Sequence, residues 1–286
     1  MLQSILSGLE AGSWYSLLGL AIVVVMKAAD VPNFAMAEIG LLATYVGQMV
    51  NGSGLSFWTA VLLTLVVGVL SSVLIDLLLM RRLAGHGHFP MLLMTIGLGL
   101  ALSALISLVW GQTSKQFQAP WSDDFLDVAG SAVSVAQLVT IGVGASAAIA
   151  LSAFFASPLG AGMRATAENR ATARLVGVRV GRLSALAWGI GGGVAALAIM
   201  LQAQSTLVST GSAHFLIVYG FVAATMGGFT SLWGTFIGGL VLGVLTNLAG
   251  LYISTSAQSA VALLAVVIVL LVRPAGFAGT VRLRHV

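Results

Sequence analysis

Nine stretches of nearly unbroken apolar residues, separated by short polar connectors, organise this chain: residues 4–26, 32–50, 57–80, 90–110, 133–156, 184–207, 214–228, 232–252 and 256–272. An α-helix rises about 1.5 Å per residue and the hydrocarbon core of a bilayer is about 30 Å thick, so windows of this length predict membrane-crossing helices. The window 214–228 is short for a span of its own. Nine crossings are therefore expected, with eight as the rival count if the second or seventh segment is re-entrant. The predicted fold class is an all-α polytopic helical bundle of about 8–9 transmembrane helices in a single domain, 1–286.

Composition supports lipid as the solvent: 59% of residues are hydrophobic and only 7% charged, with a mean hydropathy of +1.07. The net charge of +4 does not indicate nucleic acid, because the basic residues sit between the apolar windows, where the positive-inside bias places them. Cysteine is absent, which removes disulfides and thiolate chemistry. Lys27 follows the first window rather than preceding it, so that window is expected to be a retained span and not a cleaved leader.

The connectors then set the orientation. Arg81 and Arg82, the stretch 157–183 with Arg164, Arg170, Arg174, Arg179 and Arg182, and Arg273, Arg282 and Arg284 all require the cytoplasmic side. The acidic loop 112–130, with Asp123, Asp124 and Asp127, suits the outside. Nine crossings with the N-terminus out and the C-terminus in satisfy every placement. From Arg164 to Leu175 the loop mixes Ala, Glu, Asn and Arg without Gly or Pro, and it is expected to form one short exposed helix offered to a soluble partner.

Catalytic constellations are not found. The two lysines, Lys27 and Lys115, follow Met and Ser, so no Walker A Gly-Lys-Ser/Thr exists. His86 and His88 stand in a short loop beside Arg82 with no HExxH and no nearby carboxylate partner expected, His214 stands alone at an outer boundary, and no metal site is expected. Small-xxx-small pairs, Gly8 with Gly12, Gly189 with Gly193 and Gly239 with Gly243, predict close helix packing. Glu10, Glu38 and Asp76 are the acidic residues inside the windows, with no basic residue mid-span to partner them.

Four segments carry a resemblance along nearly the whole chain: VPNFAMAEIGLLATYVG at 31–47, LGAGMRATAENRATARLVGVRVGR at 159–182, ATMGGFTSLWGTFIGGLVLGVLTN at 224–247 and LLVRPAGFAG at 270–279. In that order they resemble the Asn-Phe-Ala-His-Gly-Glu segment, the Gly-x-x-x-Arg-Ala cytoplasmic loop, the Gly-Gly-rich block and the Pro-x-Gly-x-x-Gly terminus of branched-chain amino acid (Liv-type) ABC-transporter permeases. The resemblance implies a non-enzymatic, multi-pass subunit of the bacterial inner membrane. It implies as partners a second related permease, two ATP-binding subunits that carry ATP and Mg, and a periplasmic solute-binding protein, with no cofactor in this chain. Carried over by position, Arg164, Ala165, Glu168, Asn169, Ala173 and Gly177 fall on the loop that docks to the ATPases.

Two positions depart from the family pattern. Met36 and Ala37 stand where relatives have His-Gly, and Tyr219 stands where amino-acid-transporting relatives commonly have Lys. Both leave room for cargo other than branched-chain amino acids, including aromatic or other carboxylates, amides and urea. Asn33, Phe34, Glu38 and Tyr219 are the candidate pathway residues, since an ionisable or polar group in an apolar window marks a functional site by default. Glu38 and Asn33 have a structural alternative, bonding backbone at a broken helix. The competing class is an ATP-independent secondary transporter or channel, which would show intramembrane charge pairs for ion coupling.

Overall fold

The computed structural model describes residues 2–83, 85–111, 113–122, 124–128 and 131–279; Asp123, Arg282 and Arg284 lie outside the described residues. In chain order the elements are α1 (Leu2–Ala29), α2 (Met36–Asn51), α3 (Phe57–Ile75), a π-helical turn at Asp76–Met80, α4 (Arg81–Leu83) and α5 (His88–Trp110). A hairpin of β1 (Phe125–Val128) and β2 (Ser131–Ser134) follows, then α6 (Val135–Ala156), α7 (Pro158–Glu168), α8 (Arg170–Leu175), α9 (Val180–Ser205), α10 (Thr210–Gly227), α11 (Leu232–Tyr252) and α12 (Ala257–Val272). Seven of these runs are long and apolar enough to cross a membrane by themselves. The 16-residue α2 and α12 are shorter.

Contacts between helix ends sort the ends onto two faces. On one, Arg170 Nη2 donates to the Ala29 carbonyl at 3.3 Å, Arg81 Nη2 donates to the Gly181 carbonyl at 2.6 Å, and His88 Nε2 lies 3.0 Å from Asp30 Oδ2. These bring the end of α1, the end of α3 with its extension and the starts of α5 and α9 together beside α7 and α8. On the other, Asn51 Nδ2 donates to Gln118 O at 2.9 Å, Lys115 and Val208 exchange two backbone hydrogen bonds of 2.9 Å, and Asn247 Nδ2 donates to Ser4 O at 2.6 Å. The short seventh window runs the full way between the faces. It begins beyond Val208 and ends where Gly227 O accepts from Ala278 N at 3.2 Å, after α12. Among the described residues, nine apolar helices thus run from face to face, in agreement with the larger expected count.

Helix α1 lies at the centre, buried along most of its length, as is α9, whereas α3, α5 and α6 expose most of theirs. The apolar surface left bare on α3, at Leu62, Val66, Leu70 and Leu74, recurs every four residues and forms a lipid-facing stripe. Close approach of backbones holds the centre together. A Cβ at Gly12 would meet Gly239 O and Leu240 Cα at 2.7 Å, and one at Gly192 would meet Gly68 O at 2.3 Å. Glycine is therefore required where α1 crosses α11 and where α9 crosses α3. The contact of α1 with α11 is reinforced by Ser16 Oγ donating to Phe236 O at 2.7 Å.

Three sequence expectations need correction. Residues 164–175 do not form one helix, because the chain breaks at Asn169 and restarts. Asn169 Oδ1 accepts from Ala171 N and Thr172 N at 3.0 Å each, a side-chain cap that competes with continuation of the helix. Asp76 is not without a cationic partner. Buried at the π-helical turn, it receives Arg81 Nε at 3.3 Å and Ser184 Oγ at 2.7 Å, since the wider turn brings Arg81, five residues on, back over the carboxylate. His88 has a carboxylate partner in Asp30, brought close by the fold rather than by sequence.

Candidate solute path and coupling face

Between α1 and α2 the chain unwinds, and the break supplies the polar groups. Asn33 is fully buried; its Oδ1 accepts from Ala35 N at 2.9 Å, closing the turn that leads into α2. Its Nδ2 has no partner among the described residues. Both readings of Asn33 are therefore present in one side chain, an oxygen that shapes the backbone and an idle donor. Phe34 stacks on Phe221 of α10 with ring centroids 4.2 Å apart and planes 15° from parallel. Met36, fully buried, packs against α9 near Gly191.

Glu38 lies one turn further, 3% exposed. Its Oε1 is 3.8 Å from His214 Nδ1, beyond hydrogen-bond reach but within ion-pair distance. Its Oε2 is buried without a hydrogen-bond partner among the described residues and faces Gly99 of α5, where a Cβ would lie 3.5 Å away. His214 Nδ1 is 2.9 Å from Thr210 O; a carbonyl only accepts, so Nδ1 is the donor. The sequence left His214 alone at a boundary. Seven residues separate His214 from Phe221, which puts both on one face of α10, the face turned to α2. That helical spacing is the signal that could have joined them.

Tyr219 does not join this group. It lies about 140° around α10 from His214 and stacks instead on Tyr15 of α1, with centroids 4.6 Å apart and an interplanar angle of 13°. The four candidate pathway residues thus divide: Asn33, Phe34 and Glu38 on one side of α10, Tyr219 on another.

The loop that follows α6 is fastened to the bundle at both ends. Ser157 caps α7, its Oγ accepting from Gly160 N at 3.4 Å, with Pro158 at the first helical position. Arg164 Nη1 donates to the Phe155 carbonyl, so it is turned toward α6 and not toward Glu168. Ala173 is buried and Ala165 half-buried, while Glu168 and Asn169 are exposed. After α8 the backbone reverses at Gly177, whose φ of +83° favours glycine, and Val178 N returns to Ala173 O at 3.0 Å. This reversal projects Leu175 and Val176, 87% and 73% exposed. Sequence reasoning passed over both because it followed the charges.

Residues 4–272 match the family model described as the branched-chain amino acid transport system / permease component. The chain is 28% identical to the high-affinity branched-chain amino acid transport system permease protein LivH of Salmonella typhimurium, across 97% of this chain and 95% of that protein. It is 26% identical to the corresponding protein BraD of Pseudomonas aeruginosa, over the same shares of both chains. In fold it is similar to a chain of the solved structure "PsaBC from Streptococcus pneumoniae in complex with Fab", with a TM-score of 0.53 at 15% identity, covering 94% of this chain and 90% of that one. The family match extends over every apolar helix described above, and the chain belongs to the permease component family of branched-chain amino acid transport systems.

Proposed function

We propose that the chain is the membrane-spanning subunit of an ABC importer that carries a small polar solute inward across the bacterial inner membrane. The cargo class is a branched-chain amino acid or a related amino acid, carboxylate or amide. ATP and Mg are used on two partner ATP-binding subunits, a second related permease completes the membrane part, and a periplasmic protein delivers the solute. The observation that carries this reading is the α7–α8 shelf. Two short helices, pinned by Arg164 and Arg170 to the bundle, hold a bare apolar tip at Leu175 and Val176 on the arginine-rich face, the face that belongs in the cytoplasm. A rigid tip of that kind suits a cleft on a partner that moves as ATP is bound and hydrolysed. Arg164 and Ala173 act as the fastening, and Glu168, Asn169 and the tip form the contact.

On the same reading the solute passes Asn33, Phe34 and Glu38. A buried carboxyl oxygen and a buried amide donor without partners support a path there, because each is costly unless another conformation or a solute supplies its hydrogen bond.

The test is Leu175→Asp in the assembled complex in proteoliposomes. Insertion and assembly are expected to persist, while solute-stimulated ATP hydrolysis falls about tenfold, the order expected for a contact worth about 1.4 kcal/mol at the centre of an interface. Unchanged hydrolysis and uptake would remove the tip from coupling. A second reading, an ATP-independent carrier, draws on the Glu38–His214 pair as an ion-coupling element. Uptake driven by a proton gradient without ATP would support it.

A further inference from the structure

Away from Glu38, two adjoining cavities open between the first half of α1 and the ends of α9, α10, α11 and α12 on the face opposite the arginines. One, of about 390 Å³, is lined by Ser7, Glu10, Ser205, Thr246 and Asn247. The other, of about 330 Å³, lies against Gln202, Ser212, Tyr219 and Ser259. Trp14, Tyr15 and Gln258 line both, so the two form one cleft reaching from Ser7 to Tyr15, about 12 Å along α1.

Its lining is out of keeping with helices as apolar as these. Polar side chains at membrane depth face a water-filled cavity or a partner rather than lipid. Trp14 and Gln202, which line the cleft and are 8% and 9% exposed, each bury a polar atom behind its wall without a partner among the described residues, the Trp14 Nε1 donor and the Gln202 Oε1 acceptor. Groups of that kind are expensive to leave unmade. The same wall holds Glu10, 5% exposed, whose carboxyl accepts from Ser205 Oγ, and Ser7, whose Oγ accepts from Gln137 Nε2 at 3.1 Å.

Charge gives the direction of selectivity. The lining residues include one carboxyl group and neither Lys, Arg nor His. A solute that offers only negative oxygens would meet neutral hydroxyl, amide and indole donors but no cation, whereas one with N–H groups also finds the Glu10 carboxyl beside hydroxyl and amide oxygens. The stacked rings of Tyr15 and Tyr219 add an apolar surface at the deep end.

We propose that this cleft is where the permease first receives its solute, and that it takes a small molecule bearing an amino or amide N–H group, which docks beside Glu10 while its apolar part meets the two tyrosine rings. The proposal rests on the importer reading and gives Tyr219 a place in solute reception, apart from the Glu38 path.

Because the chain contains no cysteine, single cysteines report on the cleft directly. Gln258→Cys and Ser259→Cys, in the assembled complex in spheroplasts, are expected to react with a membrane-impermeant maleimide, while Leu62→Cys on the lipid-facing stripe stays unlabelled. Saturating L-leucine or acetamide should slow labelling at Gln258→Cys several-fold, and succinate should not. Adding Glu10→Gln should abolish the protection, with labelling itself retained as proof of an intact fold, and Glu10→Asp should restore part of it. Unreactive cleft cysteines, no protection by either nitrogen-bearing probe, equal protection by succinate, or full protection with Glu10→Gln would each overturn the proposal. Solute-stimulated ATP hydrolysis by the same complex reads the importer role separately: if it persists while the cysteines stay unprotected, only the cleft assignment fails.

Discussion

Two sides of α10 handle polarity in opposite ways. Toward α2, His214 and Phe221 face a compact group in which Asn33 and Glu38 are enclosed, each with one idle atom and little space around it. Toward α1 and α12, Tyr219 looks onto a cleft of hydroxyls and amides with room for a small molecule. The first arrangement resembles a gate that gains partners only when helices move; the second resembles a receiving site that needs no motion to be reached. One helix separating the two sides is well placed to link them, since a rotation or shift of α10 alters both at once.

The largest effect should come from the enclosed side. Glu38→Ala is expected to lower uptake per inserted protein about tenfold or more, because on the importer reading it removes the buried carboxyl oxygen that awaits a hydrogen bond from the solute, and a hydrogen bond to a charged group is worth about 1.5–3 kcal/mol. If Tyr219→Ala has the greater effect on maximal rate, the contrast between gate and receiving site is inverted. Next, Tyr219→Ala should raise the apparent KM about three- to tenfold with the maximal rate nearly kept, matching the loss of apolar contact with the solute equivalent to one or two CH2 groups at about 0.8 kcal/mol each. A change confined to the maximal rate would move Tyr219 to the gating side.

His214→Phe should be milder, an approximately two- to threefold drop in uptake, because the 3.8 Å separation from Glu38 leaves a weak pair worth about 0.2–1 kcal/mol. A loss as deep as that of Glu38→Ala would make the two residues one functional unit. Smallest of all, Gly99→Ala places a methyl group 3.5 Å from Glu38 Oε2, an ordinary contact, so protein level and thermal stability should stay within about 0.5 kcal/mol of the parent. A fall in uptake with stability intact would show that the Glu38 carboxyl must be reachable from the α5 side.

Legibility differed by kind of residue. The nine windows and the arginine-bearing loop were evident because hydropathy period and topology charge are local properties of the chain, whereas a helix break at Asn33 was one of two readings that its chemistry left open. The shelf was found but misshaped, since the propensity of residues 164–175 favours a continuous helix and only the hydrogen bonds of Asn169 interrupt it. Its tip went unnoticed: Leu175 and Val176 read as ordinary apolar residues until Gly177 turns the backbone and exposes them. Glu38 and Tyr219 were grouped by their polarity alone, which carries no information about which side of a helix a distant element will occupy.

Sequence by itself determined that this protein dissolves in lipid, which segments are apolar enough to cross it, with the count left at eight or nine, which loops bear the arginines and that glycines would let helices touch. These follow from transfer free energies and steric size, which act residue by residue. Only the tertiary structure decided that His214 meets Glu38, that Asp76 is covered by Arg81 and Ser184, and that Tyr219 opens onto a cleft shared with Glu10. Such pairings depend on how helices far apart in the chain are rotated about their own axes. Those rotations are fixed collectively, by close glycine contacts between α1, α9 and α11 and their neighbours, because dense packing leaves few ways for all the helices to fit together.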